Sequence, residues 1–349
     1  MNPSLSVIIT AYNRRKFLKE SVTSVLASDF DKGKFEVIVV KNFIDEELDG
    51  FLLKNNIMNI LSQNVNIGEQ ISIGLGAANG QIIAFLDDDD RVLPERLKTV
   101  YENFLDDDLV YYHNSSCSIT EDSERLHGNV VPQIKKQFIL YPDTCTTLKS
   151  ILNSNSDVEL YSLMFNLSCV AIRKEIIEHH LSYLRRIEDG TDHFFLYLAL
   201  MSNRKMKFDN IVLTEYRTHQ SASNPFNNLK KIVEMGNDSI HLFSNTNHYS
   251  NVLEDMTKDT PVHNLICCKI LEEKIILRIL SFNVKNQFTF TDLIDYQKCL
   301  RITSHVGIKK SMIRLIFMFS SVLNPYFTGI FYILYRQKRR RLRLLRGKS

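Results

Sequence analysis

The stretch Ile82-Ile83-Ala84-Phe85-Leu86 runs without a polar residue straight into Asp87-Asp88-Asp89-Asp90. Two earlier stretches share its character, Leu5-Ser6-Val7-Ile8-Ile9-Thr10 and Phe35-Glu36-Val37-Ile38-Val39-Val40. A strand with one solvated face alternates apolar and polar residues; near-continuous apolar strands are covered on both faces, the condition of a parallel sheet packed between helices. Phe17, Leu18, Val22, Val25 and Leu26 fall at helical spacing after the first run, and the later gaps hold mixed helical or irregular segments. The N-terminal half therefore reads as α/β. In such sheets ligands bind beyond the carboxyl ends of the strands, so the chemistry is expected at Thr10 to Arg14, Lys41 to Asp45 and Asp87 to Asp90.

After the third run, residues 114–132 and 142–157 are polar and read as loops or insertions. The pattern turns helical from Ile172 to Met201 and again from about Leu229 to Phe282, which ends the sheet region near Ser223. Three parts follow: 1–225 as the sheet domain, 226–310 as a helical region, and 311–349 as an apolar segment with a basic tail. With 44% apolar and 24% charged residues in 349, the chain is neither disordered nor fibrous. The net charge of +3 is too small to imply a nucleic-acid partner, and it hides a division. The stretch Arg336 to Ser349 carries eight basic residues and no acid, which leaves −5 for residues 1–335. The six cysteines form no C-x-x-C pair, and only His263 stands close to any of them, as in reduced, structural thiols. The apolar run Leu5 to Thr10 is too short for the core of an export signal.

Four carboxylates at a strand's carboxyl end repel one another and call for a cation. Adjacent carboxylates suit Mg²⁺ or Mn²⁺, hard ions usually completed by water and by substrate phosphates, so a bound diphosphate is the natural companion. The plainer alternative is a solvated turn capping a helix that starts near Pro94. Asp106-Asp107-Asp108 follows a helix rather than a strand and reads as such a turn.

Taken in order, Ser6-Val7-Ile8-Ile9-Thr10-Ala11-Tyr12-Asn13-Arg14, Glu36 to Val40, Asn66-x-Gly68, Ala78-x-Gly80 and Ile83 to Asp90 resemble the family 2 glycosyltransferases of GT-A fold, over roughly residues 4–220. The resemblance implies a Rossmann-like, mostly parallel sheet with helices on both faces, followed here by the helical C-terminal region. It also implies a nucleotide-diphosphate sugar as donor and an inverting single displacement. By the same resemblance Asp87-Asp88-Asp89 is the D-x-D motif: Asp89 and Asp87 contact the metal, and Asp87 and Asp88 lie on the donor side. Thr10, Ala11, Tyr12 and Arg14 surround the nucleotide; a tyrosine face can stack on a base and an arginine can neutralise phosphate. Where the family commonly has two aspartates after the second strand, Lys41 and Asn42 stand here. Asn42 can still hydrogen-bond a base edge, but the preference for uracil is weakened.

Displacement at a sugar carbon needs a base for the acceptor hydroxyl. Glu188-Asp189-Gly190-Thr191-Asp192-His193-Phe194-Phe195 resembles the family's acidic motif at the start of the acceptor-side helix. Aligning the helix selects Asp192, and aligning the Glu-Asp pair selects Asp189; Asp192 is preferred, while either could instead serve as a helix cap. Tyr216-Arg217-Thr218-His219 resembles the Tyr-Arg-x-His segment whose His and Arg lie near the diphosphate, which makes His219 a third metal candidate. A catalytically degenerate nucleotide- or glycan-binding protein remains the alternative. A nucleotidyltransferase would want a glycine in the phosphate loop, and Thr10 to Lys16 has none.

Ile313 to Tyr335 is almost wholly apolar, but Asn324-Pro325 breaks it into halves too short to cross a bilayer alone. An interfacial or re-entrant hairpin followed by a basic stretch on anionic lipid is expected, against the plainer reading of a buried helix and a solvated tail. The expected place is the cytoplasmic face of the cell membrane, with a glycan or lipid-linked acceptor.

Overall fold

The computed structural model describes residues 3–63, 66–126, 134, 136–141, 163, 165–219, 249–260 and scattered positions as far as 331. These fall into two compact units, Met1–Leu148 with Asn155–His219, and Lys149–Ser154 with Gln220–Ser349.

In the first unit the chain runs β1 (Leu5–Ala11), α1 (Leu18–Leu26), β2 (Phe35–Lys41), α2 (Glu46–Lys54), β3 (Met58–Leu61), α3 (Ile67–Ala77), β4 (Ile82–Asp87) and β5 (Arg91–Val92). It continues with α4 (Arg96–Asn103), β6 (Leu109–Ile119), β7 (Phe138–Leu140), β8 (Val170–Arg173), α5 (Lys174–Glu178), α6 (Leu181–Leu184), α7 (Thr191–Met201) and β9 (Lys205–Arg217). The strands form a single sheet in the order β3-β2-β1-β4-β8-β6-β9-β5, with β7 on β9. The three apolar runs are neighbours: β1 lies parallel between β2 and β4, with Ile8 opposite both Ile38 and Phe85. Beyond β4 the sheet is mixed, since β8 is antiparallel to β4 and β6, while β9 runs parallel to β6.

Every residue of β1 is buried, and its two faces meet different helices. Leu5, Val7 and Ile9 join Val22 and Val25 of α1 and Leu97 and Val100 of α4 in one apolar cluster. On the other face Ile8 packs on Gly74 of α3, and Phe85 stacks on Phe195 of α7 at 4.5 Å. Each such side chain taken fully from water stabilises the fold by about 1.5–3 kcal/mol. This double cover is what the unbroken apolar runs demanded.

Two strands depart from the sequence expectations. Asn114-Ser115-Ser116-Cys117-Ser118, read from sequence as part of a polar loop, lies inside β6 and is almost wholly buried. Two of its polar side chains bond across the sheet: Asn114 Nδ2 donates to Thr214 Oγ1 at 2.9 Å, and Ser115 Oγ to the Asp209 carbonyl at 3.2 Å. Ile172, the start of an expected helical pattern, belongs to β8. The loop expected at 142–157 lies outside the described residues.

The Asn66-x-Gly68 pair has a mechanical role. Asn66 caps α3 by accepting from the Gly68 and Glu69 N–H groups and donates through Nδ2 to the Arg185 carbonyl at 3.0 Å, while the Gly68 N–H donates to the Ile187 carbonyl at 3.0 Å. The segment leading to Glu188 and Asp189 is thus docked on the N-terminus of α3. A Cβ on Gly68 would stand 1.9 Å from the Leu184 carbonyl oxygen, whereas one on Gly76 of the same helix meets nothing within 4 Å.

In the second unit a helix over 249–257 buries Tyr249, Val252, Leu253 and Met256, one apolar stripe at helical spacing. The expected membrane segment 311–349 lies outside the described residues except for Ile316 and Phe331, both exposed. Among the described residues no helix is long and apolar enough to cross a membrane.

Two of the three glycines of α3 give opposite expectations in thermal melts. Gly68→Ala forces backbone apart and costs about 1–3 kcal/mol or more, whereas Gly76→Ala gains up to about 1 kcal/mol of helix propensity.

Candidate active site

The carboxyl end of β4 carries the acidic run, and its four side chains take four environments. Asp87 closes the strand, its N–H donating to Ser168 Oγ at 3.0 Å. Asp88 turns inward and is gripped by Arg14, whose Nε lies 3.1 Å from both carboxylate oxygens and whose Nη2 lies 2.5 Å from Oδ1. Asp89 forms an ion pair with Arg14 Nη1 at 2.7 Å and accepts from His219 Nε2 at 2.8 Å. Asp90 is buried, with Asn166 Nδ2 donating to one oxygen at 2.7 Å and the Arg217 N–H to the other at 2.9 Å.

Asp87, Asp89 and Asp90 can each place one oxygen within 4.8 Å of the others. Asp88 is outside this group because Arg14 holds it. Burial, then repulsion from Asp90, Asp89 and Asp88, pushes the Asp87 carboxyl well above the usual range. Burial carries Asp90 to about 7, with Asp89 adding to the rise, and carries Asp88 to about 6 against the pull of Arg14. Burial disfavours the charge on Arg14, yet Asp88, Asp89 and Asp87 together raise its pKa. Three hard oxygen donors with more negative charge than the paired arginine offsets fit a divalent cation such as Mg²⁺ or Mn²⁺. The control run behaves differently: Asp106 pairs with Lys205 at 2.6 Å and Asp107 is fully exposed.

Two long-range elements brace the run. β9 returns alongside β6 and delivers Arg217, which is fully buried and lies over the Phe17 ring at 4.6 Å. Its Nε donates to the Asp89 carbonyl, Nη1 to the Glu121 carbonyl and Ser123 Oγ, and Nη2 to Glu20, at 2.7–2.9 Å. This guanidinium is turned into the protein, away from the diphosphate role the resemblance implied. His219 follows, its ring tilted 43° against Phe17 at 5.3 Å, with its Nε2 on Asp89 and not within the three-carboxylate group. Behind the strand the buried Arg96 donates to the Phe85 and Val170 carbonyls at 3.3 Å, and burial lowers its pKa to about 10.

Among the donor-side residues, Thr10 and Ala11 are buried at the end of β1, and Tyr12 beyond them offers an exposed ring. Asn42 pairs with Asn13, accepting from its N–H at 2.7 Å and donating to its Oδ1 at 3.0 Å, which ties the loop after β1 to that after β2. Lys41, where a carboxylate was expected, is buried and paired with Asp49 at 2.8 Å.

On the acceptor side the two candidate bases separate. Asp189 is exposed and accepts from the Gly190 N–H at 2.8 Å. Gly190, at φ 76°, turns the chain into α7. Asp192, in the first turn, is half-buried and accepts from the His193 N–H at 2.8 Å. Burial raises its carboxyl pKa. Reading along the sequence included Asp90 in the acidic run without giving it a ligand role, and it missed Asn166, Ser168 and Glu20 as parts of this site.

Residues 6–178 match the family described as Glycosyl transferase family 2. A glycosyltransferase named GlyG from Streptococcus pneumoniae is 26% identical over 230 residues, covering 62% of this chain and 71% of its own. A GalNAc(5)-diNAcBac-PP-undecaprenol beta-1,3-glucosyltransferase from Campylobacter jejuni is 30% identical over 107 residues, 29% of this chain and 34% of its own. The crystal structure of residues 1–349 of TarS from S. aureus superposes with a TM-score of 0.54 at 17% identity, covering 97% of this chain and 92% of that one. The sheet, its acidic strand end and these likenesses agree on an α/β domain of GT-A type. The chain belongs to glycosyltransferase family 2.

Because the folded carboxyls of Asp87, Asp88 and Asp90 titrate above their unfolded values, the metal-free fold loses stability as pH rises from about 4 towards about 7. A cation bound there relieves that loss. Thermal melts are expected to show a larger Mn²⁺-induced rise at about pH 8 than at about pH 5, and no rise in Asp89→Ala.

Proposed function

We propose that the protein is an inverting, metal-dependent hexosyltransferase that moves a sugar from a nucleotide-diphosphate donor to a hydroxyl of a lipid-linked or glycan acceptor. The observation that carries this reading is the grouping of Asp87, Asp89 and Asp90 at the end of β4, beside Arg14, in a family 2 domain. These three acids would hold the Mg²⁺ or Mn²⁺ ion, which when bound neutralises the donor's diphosphate. Tyr12 offers its ring to the nucleotide base, and the linked Asn13–Asn42 loops shape the pocket around it.

Asp192 accepts the acceptor hydroxyl's proton as that oxygen bonds to the anomeric carbon and the nucleoside diphosphate leaves with the bonding electrons. One displacement inverts the centre. A base with a raised carboxyl pKa is a stronger proton acceptor than an ordinary aspartate, and burial in α7's first turn supplies the rise. Asp189, exposed and folded back on Gly190, is less suited. The binding-only alternative draws on Lys41, whose ammonium takes the position of a nucleotide-binding carboxylate in the family and is occupied by Asp49.

Turnover of a panel of nucleotide sugars with Mn²⁺ separates the two; bound donor without hydrolysis or transfer would favour the binding protein. Asp192→Asn is expected to lower kcat on the order of 10²–10⁴-fold, with Asp189→Asn losing far less. The acidic limb of the wild-type kcat profile should lie above the ordinary aspartate value of 3.8, activity falling as pH drops through it. The same raised pKa costs stability once pH exceeds it, so Asp192→Asn should melt no lower than wild type near neutrality. Equal losses in both variants would contradict the assignment.

A place on the cytoplasmic face of the cell membrane is part of this reading. It draws on the apolar and basic stretch 311–349 and on the lipid-linked acceptor named for the Campylobacter jejuni relative. Full-length protein is expected to float with anionic liposomes and a chain ended after Lys310 to stay behind; equal flotation would remove the attachment.

A further inference from the structure

Arg14 reaches the acidic run from the loop after β1 and divides its guanidinium between two acids. Nε lies 3.1 Å from both Asp88 oxygens and Nη2 lies 2.5 Å from Oδ1, while Nη1 stands 2.7 Å from Asp89 Oδ2. The two ends differ in enclosure. The Asp88 side chain is 3% exposed and that of Asp89 13%, whereas Arg14 itself is 30% exposed. The grip on Asp88 is multiple and closed; the contact with Asp89 is single and less enclosed.

Asp89 Oδ2 takes a second partner, His219 Nε2 at 2.8 Å, and the two nitrogens on it stand 3.3 Å apart. A carboxylate oxygen offers about two lone pairs, so a metal ion that takes this oxygen displaces one of the two. His219 is held in place: its side chain is fully buried and its ring lies against Phe17 at 5.3 Å. Arg14 has room to leave, and its charge drives it: a guanidinium and a divalent ion on one carboxylate repel, whichever oxygen the ion takes. Asp89 belongs to the three-carboxylate group, whereas Asp88 lies outside it. An ion there contests the Asp89 contact and leaves the Asp88 contacts in place.

We propose that Arg14 is a resident counter-cation of the acidic run that yields to the divalent ion. As the ion binds, Nη1 leaves Asp89, Nε and Nη2 stay on Asp88 as a pivot, and the released Nη1 turns to the donor's diphosphate. This rests on the reading of Asp87, Asp89 and Asp90 as the cation site. Arg14 is then a positioning residue that exchanges a carboxylate partner for a phosphate one. The exchange gives it effects of opposite sign on two ligands, coupled through one side chain. It weakens binding of the ion alone, because the guanidinium must first leave Asp89. It strengthens binding of the diphosphate that follows, because a charged donor is then turned towards it. An arginine serving only to hold Asp88 and the loop would, when replaced, weaken both ligands or neither.

Arg14→Gln removes the charge and keeps an amide that can donate to Asp88. Mn²⁺ binding by the full-length protein, read without nucleotide from the electron paramagnetic resonance of the free ion, is expected to tighten about tenfold. In saturating Mn²⁺, the diphosphate that the wild type holds most tightly among UDP, GDP, CDP and ADP is expected to bind about 10–100-fold more weakly, the worth of a charged hydrogen bond. Unchanged or weaker Mn²⁺ binding in Arg14→Gln would overturn the proposal, and so would diphosphate binding equal to wild type. If Arg14→Gln does not fold, wild-type crystals grown with Mn²⁺ decide. With the ion on Asp89, an Arg14 that keeps Nη1 on that carboxylate overturns the proposal, and one that keeps only Asp88 supports it. Failure of the underlying reading looks different: wild type and Arg14→Gln that both bind no Mn²⁺, or Asp89→Ala that binds it as tightly as wild type, would bring down the cation site and the proposal with it. A wild type that binds none of the four diphosphates in saturating Mn²⁺ would do the same to the donor reading.

Discussion

Consecutive carboxylates at the buried end of a strand are tolerated only where donors and cations surround them, and much of the sheet domain is arranged to meet that demand at Asp87 to Asp90. Arg14 comes from the loop after β1, Asn166 and Ser168 from the turn before β8, and Arg217 and His219 from the end of β9. Each lies far from the run in sequence, so the acidic cluster exists only when the whole sheet is closed. Compensation is incomplete: Asp90 and Asp88 retain pKa values of about 7 and 6, and Asp87 is higher than ordinary. The remaining deficit of positive charge is what a divalent cation and a diphosphate complex would fill.

The mixed half of the sheet completes the site that the parallel half begins. β1, β2 and β4 supply the apolar floor and the acids, while β6, β8 and β9 carry polar residues into the interior and point the bracing groups at the run. Glu20 of α1 joins the two halves by pairing with Arg91 and Arg217 at 2.9 and 2.8 Å. Arg217 shows the economy of this arrangement: one buried guanidinium holds the Asp89 carbonyl, the 121–123 turn and α1 together.

What was legible in the sequence followed from local signals. The runs at β1, β2 and β4 could be read because a doubly covered strand leaves an unbroken apolar stretch, and the acidic run was conspicuous because it followed one of them. β6 was not legible: Asn114 to Ser118 look like a loop, whereas Asn114 and Ser115 are buried against Thr214 Oγ1 and the Asp209 carbonyl of β9, which accept their bonds across the sheet. Arg14, given a phosphate role by resemblance, has Asp88 as its main partner, 74 residues away. Asn166 had no local signal at all, since its meaning lies in a bond to Asp90 across 76 residues. The choice between Asp189 and Asp192 was open by spacing, and the two now differ in exposure and hydrogen bonding.

The central claim is that Asp87, Asp89 and Asp90 form the cation site on which the donor's diphosphate is held. Crystals grown with Mn²⁺ and a nucleoside diphosphate, with data collected near the manganese edge, test it most directly. The account predicts an anomalous peak bounded by the Asp89 carboxylate and at least one of Asp87 and Asp90, with diphosphate oxygens on its open side. Nucleotide bound at this strand end with no peak there, or a peak elsewhere, would contradict it.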